Sequence, residues 1–143
     1  MRNIRTRTVL SLVSALAISG LVAAVPASAT DSGGDGNPVN CANAQPVASV
    51  PIIGGNGATI GLVEMRWSAA CSGNWTRTTS YIGNQRLVSV IETSPYTRQA
   101  VGDDYATSNW SPYLRVAPSQ RMCSTGSIFN SIGEQFWGQV CSN

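Results

Sequence analysis

Four cysteines constrain this chain most, because they follow a segment that is typical of secreted proteins. Arg2, Arg5 and Arg7 precede an apolar run over residues 9–25, which ends in Ala27-Ser28-Ala29. A basic start, an apolar stretch and a small-residue cleavage site are the parts of a secretory signal peptide. We therefore predict that residues 1–29 are removed on export and that the protein is extracellular, where cysteines form disulfides.

The alternative interpretation of this segment is an uncleaved membrane anchor, since the apolar run approaches the length of a membrane span. Ser11, Ser14, Ser19 and Gly20 dilute the run, however, and the cleavage site follows it directly. No second long apolar stretch lies downstream. We expect no membrane span once the signal peptide is cleaved.

The cysteines at positions 41, 71, 123 and 141 allow three disulfide pairings. Proximity along the chain favours Cys41 with Cys71 and Cys123 with Cys141. Each bridge would contribute about 3 to 4 kcal/mol by restricting the unfolded chain. A zinc site is disfavoured because the chain has no C-x-x-C pair and no histidine. We therefore predict no metal and no cofactor.

Removal of 29 residues from 143 leaves 114, which is enough for one domain. Residues 30–40 hold Gly, Asp, Asn and Pro with one apolar side chain, and we interpret them as a flexible leader. The single domain then covers residues 41–143.

Short runs rich in Val, Ile, Thr, Tyr and Trp alternate with turn residues throughout this domain, a pattern typical of strands. Residues 58–68 alternate polar and apolar side chains, and the run Gly54-Gly55-Asn56-Gly57 before them predicts a hairpin. A second strand around Trp75 and a third over residues 86–93 complete a predicted antiparallel meander. The expected fold is all-β, a small antiparallel β-sandwich or barrel stapled by two disulfides. A short helix is expected over residues 127–137, where Ile128, Ile132 and Phe136 have helical spacing.

The formal net charge of +2 includes three arginines of the signal peptide. The mature chain keeps six arginines against seven acidic residues, and the arginines are scattered singly. A nucleic-acid binder carries a basic stripe, so we do not expect nucleic acid as a partner. The absence of histidine removes the commonest general base.

The segment Val63-Glu64-Met65-Arg66-Trp67-Ser68-Ala69-Ala70-Cys71, followed by Trp75-Thr76-Arg77, resembles the YjfA-like family of small secreted bacterial proteins, a domain of unknown function. The family pattern is an E-L-R-x-S strand, a cysteine and then W-x-R. The resemblance implies secretion and the cysteine framework, and it implies no activity, ligand or catalytic residue.

Two groups of side chains are candidates for ligand binding. Glu64, Arg66 and Arg77 lie on neighbouring predicted strands, either as a recognition site for an acidic or sugar ligand or as a structural ion pair beside a tryptophan. The aromatic residues of the segment 94–115 form either an exposed platform or part of the core. These residues are Tyr96, Tyr105, Trp110 and Tyr113.

Three hypotheses for function follow. The first is a non-enzymatic β-domain that binds a cell-wall glycan or an extracellular protein. The second is a small inhibitor of an extracellular hydrolase, which would dock the turn over residues 71–74 or the turns at Pro95 and Pro112. The third and weakest is a glycan-cleaving enzyme that uses Asp103 or Asp104 with Glu64. No catalytic residue is assigned, and the sequence does not predict the oligomeric state.

Overall fold

A computed structural model of the chain describes residues 38–142, so the predictions for the signal peptide and for most of the leader lie outside the described residues. The described part contains one short 3-10 helix, Pro38–Asn40, and eight strands. The strands are β1 (Gln45–Ile53), β2 (Thr59–Ser68), β3 (Gly73–Ser80), β4 (Gln85–Thr93), β5 (Gln99–Ala106), β6 (Ser108–Trp110), β7 (Met122–Phe129) and β8 (Gln135–Cys141).

The strands form two antiparallel sheets of four strands each. Sheet A has the order β1-β2-β3-β6, and sheet B has the order β5-β4-β7-β8. The sheets stack face to face, with β1 opposite β8 and β3 opposite β4. The predicted all-β class is confirmed, and the architecture is a β-sandwich.

The alternation along β2 explains which of its side chains enter the sandwich. Val63 and Met65 point inward and are fully buried, whereas Glu64 and Arg66 alternate with them and lie on the outer face. Successive side chains of a strand point to opposite faces, so a period of two gives each strand one core face. Two apolar clusters result, one around Val63 and the other around Met65.

Small hydroxyl side chains and an amide form a buried hydrogen-bonded group inside the sandwich. The hydroxyl of Ser89 on β4 bonds the Thr78 hydroxyl and the Asn109 side-chain oxygen, both of which belong to sheet A. The Asn109 amide nitrogen donates to the Leu87 carbonyl at 2.8 Å. Buried polar atoms cost stability unless they find partners, and here the partners come from the opposite sheet. The group therefore ties the two sheets together.

Gly126 makes the close approach at this group possible. A Cβ atom at this position would lie 2.5 Å from Thr78 Oγ1 and 2.7 Å from Val63 Cγ2. Only a residue without a side chain lets β7 pack this close to β2 and β3.

Both disulfides have the pairing that proximity along the chain favoured. Cys41 bonds Cys71, and Cys123 bonds Cys141. The first bridge ties the segment before β1 to the turn between β2 and β3. The second joins β7 to β8 at directly paired positions.

The predicted meander is correct for β2 and β3 but wrong for the third strand. β4 crosses to sheet B, where it pairs with β5 and β7. Its inward side chains Leu87, Ser89 and Ile91 are fully buried, so β4 buries one face by packing against the opposite sheet instead of extending sheet A.

The predicted helix over residues 127–137 is also wrong. Ile128 lies in β7 and Phe136 in β8, and the two residues face each other across a hairpin. Ile132 is exposed in the turn, and Gly133 has a φ of 86°, which suits a turn. The helical spacing arose because residues 130–134 connect the two strands, so that Ile128, Ile132 and Phe136 fall four residues apart along the chain although they lie in a strand, a turn and a strand.

The substitution Gly126→Ala is expected to destabilise the protein by about 1 to 3 kcal/mol, because its methyl group overpacks the space between the sheets. Chemical denaturation measures the loss as a lower midpoint. Gly55→Ala is the matched control, since its Cβ atom would lie 3.7 Å from Phe136, an ordinary contact. Equal midpoints for the two variants would contradict the close approach.

Candidate functional site

The outer face of sheet A brings four of the seven predicted binding residues together. Glu64 on β2 pairs directly with Arg77 on β3, and Arg77 pairs with Trp110 on β6. Arg66 lies two residues from Glu64 on the same face of β2. We call Glu64, Arg66, Arg77 and Trp110 the Arg77 cluster.

Within the cluster, Glu64 and Arg66 form a close, mostly buried ion pair. Arg66 Nη1 lies 2.9 Å from Glu64 Oε1, and the two side chains are 17% and 14% exposed. Arg66 Nη2 also donates to the Ala44 carbonyl at 3.1 Å. Arg66 therefore anchors the segment before β1, whereas the ion pair considered from the sequence was that of Glu64 with Arg77.

Arg77 has a different environment. Its Nη1 atom lies 3.9 Å from Glu64 Oε2, at the outer limit for an ion pair, and its side chain is 41% exposed. Its Nε atom donates to the Ser108 hydroxyl at 3.1 Å, which orients the guanidinium. Two arginines against one carboxylate leave the cluster with a net positive charge. The exposed guanidinium is thus a fixed donor for an anionic group.

Trp110 flanks Arg77 at the edge of the sheet, and it is 38% exposed. Trp110 belongs to β6, which lies very close to β5. This close approach requires glycine at position 102 of β5, because a Cβ atom there would clash with the Trp110 carbonyl. An indole beside a guanidinium combines a flat apolar surface with a charged donor. This pairing suits a ligand that carries both a ring face and an acidic group.

The other predicted aromatic residues lie elsewhere. Tyr113 is buried with Trp75 against the Cys41–Cys71 disulfide, and the Arg115 guanidinium stacks on its ring. Tyr96 is exposed in the connection between β4 and β5, and Tyr105 is exposed on β5 of sheet B. The four rings of the segment 94–115 therefore do not form one platform.

The acidic residues proposed for glycan cleavage lie on different sheets. Asp103 projects from the outer face of sheet B and Glu64 from the outer face of sheet A, so they point away from each other. Asp104 Oδ1 accepts a hydrogen bond from the backbone N–H of Tyr105 at 2.7 Å. The geometry does not place these carboxylates on two sides of one cleft.

Asp103 forms a two-point ion pair with Arg86. Arg86 Nη2 lies 2.7 Å from Asp103 Oδ2, and Arg86 Nε donates to Oδ1 at 3.0 Å. These hydrogen bonds hold the pKa of Asp103 below its ordinary value of 3.8, and they raise the pKa of Arg86.

Two outward-facing residues were not among the predicted binding residues: Ser108, which orients Arg77, and Trp137 on β8, which is exposed. In β8, the polar or exposed residues Gln135, Trp137 and Gln139 alternate with Phe136, Gly138 and Val140, which is a strand pattern. This pattern would have placed Trp137 on an outer face, but the apparent helical spacing obscured it.

Among residues 38–142 there is no helix long and apolar enough to cross a membrane, and no group of three side chains suited to hold a metal ion. No family model, no curated protein and no solved structure matches the chain.

The Asp103 ion pair predicts a small pH dependence of stability. A carboxyl group whose pKa is lower in the folded state stabilises the protein at pH values above its pKa in the unfolded chain. This stabilisation is lost as the pH falls through the pKa of the folded state. Asp103→Asn is therefore expected to lower the urea midpoint slightly at pH 7, with the difference from the parent protein vanishing well below pH 3.8. Arg86→Gln removes the other partner of the ion pair and is expected to show the same dependence of the urea midpoint on pH. A difference in midpoint that persists at low pH would exclude the Asp103–Arg86 ion pair as its origin.

Proposed function

We propose that the chain is a secreted, non-enzymatic binding module that recognises an acidic cell-wall glycan through the Arg77 cluster. The observation that carries this proposal is the pairing of a half-exposed, oriented Arg77 with Trp110 on the outer face of sheet A. The guanidinium would pair with a sugar carboxylate, and the indole would stack on the sugar ring.

Export is part of this proposal. The two disulfides are consistent with an oxidising, extracellular location. The signal peptide and the membership of the YjfA-like family stay predictions from the sequence, and both agree with a secreted protein.

The charge of the cluster supports an acidic ligand over a neutral one. Glu64 is already satisfied by Arg66 at 2.9 Å, so a ligand anion meets Arg77 without displacing a strong ion pair. An interaction between an exposed guanidinium and an anion is screened by salt. Retention is therefore expected to fall as the ionic strength rises.

Pull-down of the oxidised protein on insoluble peptidoglycan, with neutral cellulose as the comparison, tests this site. Arg77→Gln and Trp110→Ala are each expected to weaken retention about tenfold, the effect of losing one good charged or stacking contact. Arg86→Gln and Tyr105→Ala are the matched controls on sheet B, and they should bind like the parent protein.

The proposal is wrong if the sheet B variants abolish retention while the Arg77 and Trp110 variants retain it. Equal binding of all variants to cellulose and peptidoglycan would also overturn it, because that result indicates adsorption without a site.

The inhibitor hypothesis has one specific observation in its favour. The turn between β2 and β3 is held by the Cys41–Cys71 disulfide, and Arg115 Nε donates to the Cys71 carbonyl at 2.8 Å. Ser72 at its tip is exposed and has a φ of 48°. A rigid loop loses little freedom on docking into an enzyme cleft. Titration of secreted proteases with the protein would reveal stoichiometric loss of their activity.

A further inference from the structure

Three of the four strands at the sheet edges carry features that prevent pairing with another chain. β1 contains Pro46 and Pro51 and has two register irregularities. β6 is three residues long. β5 holds the adjacent acids Asp103 and Asp104, and Asp104 already bonds a backbone N–H of the strand. Proline, bulges, charges and short length are the usual protection of exposed edges.

The fourth edge strand, β8, has none of these features. Its seven residues, Gln135–Cys141, include no proline and no charged side chain. It pairs with β7 in continuous register, and no further strand follows it in sheet B. The Cys123–Cys141 disulfide holds its C-terminal end against β7. β8 is thus a regularly paired edge strand, and its outer backbone groups are suited to accept another strand.

We propose that β8 pairs in antiparallel fashion with β8 of a second copy of this chain, which joins the two sheets B into one sheet of eight strands. A twofold axis beside Gly138, the central residue of the strand, sets Trp137 opposite Gln139 of the second copy, and Gln139 opposite the second Trp137. Between the paired residues Gln135–Cys141 this arrangement opposes no like charges, and both Trp137 rings gain a neighbour.

The charges at the ends of β8 complement each other in this register. Glu134 immediately precedes β8, and it would face Ser142 of the second copy. Arg121 lies beside Ser142, since its Nε atom donates to the Ser142 carbonyl at 3.1 Å. Each end of the paired strands therefore brings a carboxylate near a guanidinium, twice by symmetry.

The contact at this edge is formed mainly by β8 itself. β1 packs closely over its inner face, since a Cβ atom at Gly138 would lie 3.2 Å from the Pro51 carbonyl oxygen. The seven residues of β8 span about 24 Å, and a single pair of strands buries less area than a standard interface. The expected dimer is therefore weak and depends on concentration.

Antiparallel pairing within one sheet requires an axis perpendicular to that sheet, so both copies of sheet A would face the same way. If the Arg77 cluster binds a glycan as proposed, the dimer presents two such clusters to one glycan surface, and its binding is bivalent. This bivalence is the only part of the inference that rests on the proposed function.

Sedimentation equilibrium of the oxidised protein, without any ligand, tests the dimer directly. The parent protein is expected to show a monomer–dimer equilibrium with a dissociation constant below about 200 µM. Trp137→Lys combined with Gln139→Lys would set lysines opposite lysines and is expected to weaken association at least about tenfold. The corresponding double glutamate variant is expected to do the same, and an equal mixture of the two variants should restore dimers. Circular dichroism and thermal midpoints of the variants test whether these exposed substitutions leave the fold intact.

Val101→Lys is the matched control, because Val101 is half-exposed on the outer face of sheet B but lies on β5, at the opposite edge. It should associate like the parent protein. A parent protein that is monomeric at every concentration, double variants that still dimerise, or a Val101→Lys variant that dissociates would each overturn the pairing. None of these results depends on whether the protein binds a glycan.

Discussion

The hydrogen-bonded contact between Ser89, Thr78 and Asn109 is the interaction on which the sandwich depends. It joins the central strand β4 of sheet B to β3 and β6 of sheet A through short polar side chains. Such side chains fit only where the sheets come close, and glycine provides that room at Gly126. Apolar clusters on either side of this contact exclude water from it. The two sheets are therefore held in one relative position.

That fixed position determines the geometry of the Arg77 cluster. Asn109, which bonds Ser89 in the core, stands between Ser108 and Trp110 on β6. Because alternate residues of a strand point to opposite faces, the inward anchor directs both neighbours outward. Ser108 then orients Arg77, and Trp110 flanks it. The core contact and the proposed binding surface belong to the same three-residue strand.

The local sequence pattern was sufficient to predict the all-β class, the β2 alternation, the pairing of Glu64 with Arg77 and the disulfide pairing. Each of these depends on residues that are close in sequence or on neighbouring strands. The crossing of β4 to sheet B could not be predicted, because the turn before it is compatible with a hairpin and the choice is made by core packing. Trp110 lies beside Arg77 because β3 pairs with β6, which brings together two residues 33 positions apart in the chain, and the sequence holds no local signal for that pairing.

Nuclear magnetic resonance of the isotope-labelled protein, titrated with a soluble acidic fragment of peptidoglycan, tests the central claim most directly. The account predicts that the Arg77 Nε–H and Trp110 Nε1–H resonances shift most, together with the backbone of β3 and β6. A neutral oligosaccharide of the same length should leave them in place. Shifts confined to Tyr105, Trp137 and the outer face of sheet B would contradict the account, because they would place the binding site on the opposite side of the molecule.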